Sequence, residues 1–177
     1  MAHRSLTGVL LVGGASTRFG SPKAFARVDG RTLAEIGWET LAFCDERIAV
    51  GKTADGLELP FPLLDDGTEV RAPIAGVVVG LRAASGEVCV VLPVDTPLVE
   101  EATLRALADA CADAAVPQTG PLPGAYRKTG LPALEAALAA GELSLRVALD
   151  GLDVRIVALD EATLANVNTR DDLRGLG

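Results

Sequence analysis

"EVCVVLPVD", residues 87–95, carries an unbroken apolar run from Val88 to Val94 that stops at an aspartate. A strand with one wet face alternates apolar and polar residues. This run does not, so it reads as a strand buried on both faces, as in a parallel sheet. Leu6 to Val12, rich in Val and Leu and followed by Gly13 and Gly14, reads as another such strand. Between the two lies "TLAEIGWETLAF", with Leu33, Ile36, Gly37, Thr40 and Leu41 on one helical stripe and Thr32 and Glu35 spaced for a capping box, which predicts a helix over about 32–43. "PIAGVVVGLRAA" predicts a second over about 73–84 and "EEATLRALADACADA" a third over about 102–112. Short strands are expected at Arg47–Val50 and Phe61–Leu64. Past Pro117 the pattern weakens through "PQTGPLPGAYRK", read as a loop entering a strand near Ala125. "LPALEAALAAG" is a helix over about 131–140 closed by Gly141, "LSLRVALDG" a second short one, Arg155–Leu159 a last strand, and "NVNTRDDL" leads into a terminal helix.

Strands alternating with helices predict an α/β fold with a mostly parallel sheet covered on both faces, the second half having room for an antiparallel strand. In such sheets ligands bind outside the carboxyl ends of the strands. The glycines after Val12 and the carboxylate of Asp95 both fall at such ends, so they are expected to share one crevice.

The composition narrows the chemistry. The chain has 177 residues, the size of one domain, with 49% hydrophobic and 23% charged residues. No apolar run is long enough to span a bilayer, and the first residues lack a secretory pattern, so no membrane association and a cytoplasmic location are expected. A net charge of −8 argues against bulk affinity for nucleic acid. Cys44, Cys89 and Cys111 are odd in number and widely spaced, reading as buried free thiols rather than a disulfide framework or zinc site. The single histidine, His3, is near the terminus, which leaves carboxylates, cations, backbone and a metal to carry any catalysis.

In "LVGGASTRFGSPK", residues 11–23, Gly13 and Gly14 let main-chain N–H groups come close to an anion. Arg18 can fork onto two phosphate oxygens and Lys23 adds a compact point charge. The same residues could also form a glycine turn with solvated cations. Neither G-x-x-x-x-G-K-[ST] nor G-x-G-x-x-G is present, which removes the P-loop and the main support for a nicotinamide-dependent oxidoreductase. Asp95, with Pro93 and Pro97 on either side, suits Mg²⁺, a hard ion that takes few carboxylates and fills its shell with water and substrate phosphate; it could equally start a turn or cap a helix. Together these residues describe a site for a nucleoside triphosphate and a metal.

At this point the chain resembles the molybdenum cofactor guanylyltransferases, within the L-x-G-G-x-S-x-R-x-G-x-x-K nucleotidyltransferases. The resemblance rests on residues 11–23, where every fixed position is filled, and on "APIAGVVVGL" at 72–81, "VLPVDTPLV" at 91–99 and "NVNT" at 166–169. It implies a Rossmann-like three-layer sandwich forming one nucleotidyltransferase domain over 1–177, with about 1–100 binding nucleotide and about 101–177 binding the acceptor. The implied reaction joins GMP from Mg-GTP to the terminal phosphate of molybdopterin and releases pyrophosphate. Leu11, Gly13 and Gly14 would lie against guanine and ribose, with Val12, Ser16, Pro73 and Gly76 completing the nucleotide contacts. Arg18 and Lys23 would hold the triphosphate, Asp65 the nucleoside end and Asp95 the metal, so that Arg18, Lys23 and Asp95 form the catalytic set. Tyr126, Arg127, Lys128 and Arg146 fall in the segment resembling the acceptor-binding half, where a pterin phosphate needs cations, although the basic residues could also be solvated surface charges. Asn166 and Asn168 could orient the pterin or the metal, while Thr169 can cap the terminal helix. Val12-Gly13-Gly14 favours guanine over cytosine. Ala72 stands where the family usually has glycine, which could narrow the backbone approach at Pro73 and Gly76. Molybdoenzyme accessory proteins are the expected recipients of the product. A related enzyme using CTP or another small phosphorylated acceptor, and a non-catalytic GTP-binding regulatory protein, are the alternatives.

Overall fold

The computed structural model describes residues 5–13 and 22–175. Among these described residues nine strands and six α-helices follow in the order β1 (Leu6–Leu11), β2 (Arg27–Val28), β3 (Arg31–Thr32), α1 (Leu33–Thr40), β4 (Glu46–Gly51), β5 (Leu63–Asp65), α2 (Pro73–Ala83), β6 (Val88–Pro93), α3 (Glu101–Ala110), β7 (Ala114–Pro117), β8 (Gly124–Arg127), α4 (Leu131–Ala139), α5 (Leu145–Ala148), β9 (Val154–Val157) and α6 (Arg170–Arg174). Seven strands form one sheet in the order β5-β4-β1-β6-β8-β7-β9, and β2 and β3 make a separate two-stranded ribbon. All sheet pairs are parallel except those of β8, which runs against both β6 and β7.

The apolar run at 88–94 and the largely apolar run at 6–12 become the two central strands, and their residues feed opposite layers. Leu10, Val90 and Leu92 pack with Leu33 and Leu41 around α1 and with Leu104 and Leu107 of α3. Val9, Leu11, Cys89 and Val91 pack with Ile74, Val77 and Leu81 of α2, and with Leu134 and Leu145 beyond. Because successive side chains point to opposite faces, a strand apolar at every position must be covered twice. The result is a three-layer α/β sandwich.

Thr32 and Glu35 cap α1 reciprocally, as their spacing predicts. Gly141 follows α4 at φ 83, the left-handed conformation that suits glycine at a helix end. Thr169 caps α6 through the amide of Asp172. Three expectations change. Ala114–Pro117 is a strand that periodicity does not reveal, since it owes its state to partners on both sides. The strand expected at Phe61–Leu64 starts only at Leu63, because Phe61 stacks on Trp38 with ring centroids 4.1 Å apart. The three cysteines are free thiols, but Cys44 is only half-buried. Among the described residues no helix is long and apolar enough to cross a membrane.

Candidate active site

A cavity of about 390 Å³ opens outside the carboxyl ends of β4, β1 and β6. The strand order β5-β4-β1-β6 doubles back at β1, since the chain builds outward to β5 and then returns through α2 to the other side of β1. That reversal leaves a crevice between the ends of β1 and β6, where the connections diverge. The ladder continues just beyond the strands: Val12 N–H donates to Val50 O and Val94 N–H to Leu11 O, each at 3.0 Å. Gly13 and Asp95 are thereby brought to adjacent positions on the cavity wall, as the two strand ends lead one to expect.

Lys23, in a short 3-10 turn, points its ammonium at 3.2 Å from Asp95 Oδ2 and 3.0 Å from Asn168 Oδ1. The Lys23 and Asp95 side chains are 17% and 24% exposed, so the pair is sheltered but reachable from the cavity. Asn168 arrives through the segment before α6. Val167 N–H donates to Asp95 O at 2.7 Å, while the Asn168 and Thr169 amides both donate to Asp172 Oδ2. These amide bonds hold the Asp172 carboxyl below its ordinary range. Asn166 lines the same cavity.

The amino end of α2 forms another wall through Ala72, Pro73 and Gly76. Pro73 at the first helical position needs no N–H partner there. Ala72 is extended at φ −136, a conformation open to any residue, so its replacement of glycine imposes no backbone strain. Leu11, Val12, Gly13, Lys23, Pro73, Gly76, Asp95 and Asn166 therefore line one cavity. Gly14, Ser16 and Arg18 lie outside the described residues.

Asp65 is not among the lining residues. Its Oδ2 accepts from the amide and hydroxyl of Thr53 and its Oδ1 from Gly67 N–H at 2.7 Å, and these bonds, the Thr53 hydroxyl foremost, lower its pKa to about 2. Asp65 thus fastens the turn at 53–55. The neighbouring Asp66 takes the cavity position, paired with Lys52, whose ammonium lies 2.9 and 3.1 Å from the two carboxylate oxygens and also donates to Thr68 O. Sequence reading missed both Lys52 and Asp66. They stand fourteen residues apart and meet only because β4 and β5 pair, with Asp66 N–H donating to Gly51 O at 2.9 Å.

The expected acceptor residues separate. Tyr126 is 1% exposed, with its hydroxyl donating to Pro121 O, and burial raises its phenol above the ordinary range. Arg127 pairs in register with Val88, at the amino end of β6, roughly 20 Å along the strand direction from Asp95 by strand rise. Its guanidinium donates to Ala112 O at 2.8 Å and Cys111 O at 2.9 Å, and Lys128 donates to Ala84 O. Both cations thus satisfy carbonyls at helix carboxyl ends, a favourable place for positive charge. Tyr126 and Arg127 thus make internal contacts away from the cavity because β8 is reversed and its later residues run away from it. Arg146 borders a second cavity of about 310 Å³ with Gln118, Gly120 and Asp150, and its Nη2 is 3.4 Å from Thr119 O.

Among the described residues no three His, Cys, Asp or Glu side chains gather as a ready-made metal cage. Around Lys23, among the described residues, the site has instead the Asp95 carboxylate and the amide of Asn168, with Asn166 on the same cavity wall, a set of hard oxygen donors with room for an anionic partner.

The chain matches the family model described as "MobA-like NTP transferase domain" over residues 8–156. It is 33% identical over 180 residues to "Probable molybdenum cofactor guanylyltransferase" of Bacillus subtilis, covering 93% of this chain and 90% of that protein. A similar match, 28% over 187 residues, covers 96% of this chain and 93% of "Molybdenum cofactor guanylyltransferase" of Desulfosudis oleivorans. The fold superposes with a TM-score of 0.82 on "Molybdopterin-guanine dinucleotide biosynthesis protein A" of Archaeoglobus fulgidus, at 27% identity and with 96% of each chain covered. With the family pattern at the ends of β1 and β6 and the family model spanning seven of the nine strands described and most of the other two, this chain belongs to the MobA-like NTP transferase domain family.

Proposed function

We propose that this chain is a molybdenum cofactor guanylyltransferase, transferring GMP from GTP to the terminal phosphate of molybdopterin with release of pyrophosphate. One observation carries the reading most directly: the Lys23 ammonium lies within hydrogen-bond distance of Asp95 and Asn168 at the strand ends, where Lys23 and Asp95 form part of the wall of a nucleotide-sized cavity. The names of the relatives supply the acceptor and the base.

The sheet order suggests how the nucleotide lies. Neighbouring strands are about 4.8 Å apart, so the β6 end with Asp95 and the β4–β5 end with Lys52 and Asp66 are separated by roughly 10–14 Å. That is the order of reach from the phosphates of a nucleotide to the edge of its base. The triphosphate would lie toward Lys23 and Asp95, the base toward Lys52 and Asp66, and the Gly13 backbone would follow the sugar between them.

Asp95, helped by the amide oxygens of Asn166 and Asn168, would hold Mg²⁺, a fit of hard donors to a hard ion that completes its shell with phosphate and water. When bound, the ion neutralises charge on the phosphates. Lys23 would turn from Asp95 onto the triphosphate, where it stabilises charge growing on the departing pyrophosphate. An acceptor phosphate oxygen attacks the α-phosphorus in line; that P–O bond forms as the bond to the β-phosphate oxygen breaks. Asn166 and Asn168 would also orient the acceptor beside the phosphates, and positioning with electrostatics would supply most of the rate.

Incubation with Mg-GTP and molybdenum-loaded pterin tests the reading, with mass spectrometry for the guanine dinucleotide and a pyrophosphate assay. Formation of both products is expected. Pyrophosphate release with CTP alone, or nucleotide binding with no turnover, would overturn it.

A further inference from the structure

The Lys52–Asp66 pair is nearly sealed and yet lies on the cavity wall: both side chains are 10% exposed. Taking two charges out of water is costly, and a buried pair seldom stabilises a fold more than apolar side chains of like size would. Its geometry shows what it does for Asp66. The three ammonium hydrogens of Lys52 match its three acceptors, the two Asp66 oxygens and Thr68 O. Asp66 Oδ1 accepts from Lys52 and from Thr68 N–H at 3.2 Å, which uses both its lone pairs. Among these bonds Oδ2 accepts from Lys52 alone. One lone pair of a clamped carboxylate is left over beside a cavity that Val12, Val50 and Val70 also line.

We propose that Lys52 is a positioning residue that holds Asp66 Oδ2 as a fixed acceptor for the N–H edge of a guanine base. The proposal rests on the nucleotide orientation given above. Asp66 follows β5, the strand farthest from Asp95 on this side of the sheet, so the group that reaches it is the end of the nucleotide remote from the phosphates. An ionised carboxylate only accepts hydrogen bonds. Guanine offers N–H donors from both its ring nitrogen and its exocyclic amine on one edge, whereas adenine and cytosine offer a ring-nitrogen acceptor beside their amine and would set lone pair against lone pair. The three valines supply apolar surface for the faces of the ring.

Dissociation constants for GTP, ATP and 2′,3′-dideoxy-GTP, measured by calorimetry on the full chain with Mg²⁺, test this. Wild type is expected to prefer GTP to ATP; in Lys52→Met that preference falls by about tenfold or more, the scale of a charged hydrogen bond lost, through weaker GTP binding. Lys52→Arg retains most of it, while Asp66→Asn loses it. A thermal melt checks each fold, and if Lys52→Met does not fold, the Arg and Asn variants decide. A GTP/ATP ratio unchanged in Lys52→Met and Asp66→Asn would overturn the proposal. So would a fall confined to discrimination against the dideoxy nucleotide, which would place the ribose at Asp66. Wild type binding no nucleotide would instead refute the guanylyltransferase reading itself.

Discussion

Replacing Gly80 and Gly76 by alanine, one at a time, should separate the support of the sheet from the shape of the cavity. Both glycines face β1 from α2. A Cβ on Gly80 would sit 2.7 Å from Val9 Cγ1 and 3.0 Å from Cγ2, where well-packed carbons stand about 3.5–4 Å apart. Val9 cannot yield: it is 0% exposed, stiff about χ1 and on a strand paired on both sides. The helix must therefore shift, at a cost of about 2–3 kcal/mol, the upper part of the range for overpacking since Val9 is rigid, offset by about 1 kcal/mol of improved helix propensity. The net loss of about 1–2 kcal/mol corresponds to a fall in Tm of roughly 3–6 °C for a chain of this size. At Gly76 the only close atom is Leu11 Cδ2 at 2.7 Å, with the next at 3.8 Å. That methyl ends a flexible side chain on the cavity wall and can rotate into open space. Gly76→Ala should then hold its Tm within about 2 °C of wild type, but narrow the cavity and weaken GTP binding severalfold. Thermal unfolding by circular dichroism and calorimetric titration with GTP read the two effects. Unchanged stability in Gly80→Ala, or lost stability with unchanged affinity in Gly76→Ala, would refute the packing argument.

Lys23→Ala should reduce kcat/KM by about 10²–10³-fold, the scale of losing one preorganised charge contact, while melting within a few degrees of wild type; steady-state pyrophosphate release alongside thermal denaturation checks this. Tyr126→Phe should leave kcat and KM for the acceptor unchanged and cost about 1 kcal/mol of stability, since the hydroxyl serves Pro121 O in the interior; a raised acceptor KM would restore Tyr126 to the site. The Asp65 carboxyl titrates at about 2 in the fold against 3.8 ordinarily, so its contribution to stability is present above about 3.8 and is lost as pH falls through 2. Denaturant unfolding of wild type and Asp65→Asn from pH 5 to 2 should show the wild-type advantage shrinking toward the acid end.

The main architecture could be read because β6 is apolar at every position and β1 nearly so, with Thr7 its one polar side chain, and only a sheet covered on both faces accepts such runs. One side of the cavity could be read for a related reason: Gly13 and Asp95 are placed by strand ends visible in the sequence. The reversal of β8 could not be read. Four residues that pair equally well in either direction took theirs from β6 and β7, and that choice sent Arg127 to the far end of the sheet. Lys52 and Asp66 carry no motif, and their meeting depends on the β4–β5 register. The one-residue difference between Asp65 and Asp66 is likewise invisible in a sequence, yet one fastens a turn while the other lines the cavity.

The bond from Val167 N–H to Asp95 O has a consequence for the order in which the molecule matures. Residues 166–169 leave the ribosome after every strand of the sheet, so a nascent chain can assemble the whole sandwich while Lys23 still lacks its amide partner. The partnership of Lys23 with Asn168 is thus formed later in synthesis than the sheet that shelters it, and is separable in time from the fold around it.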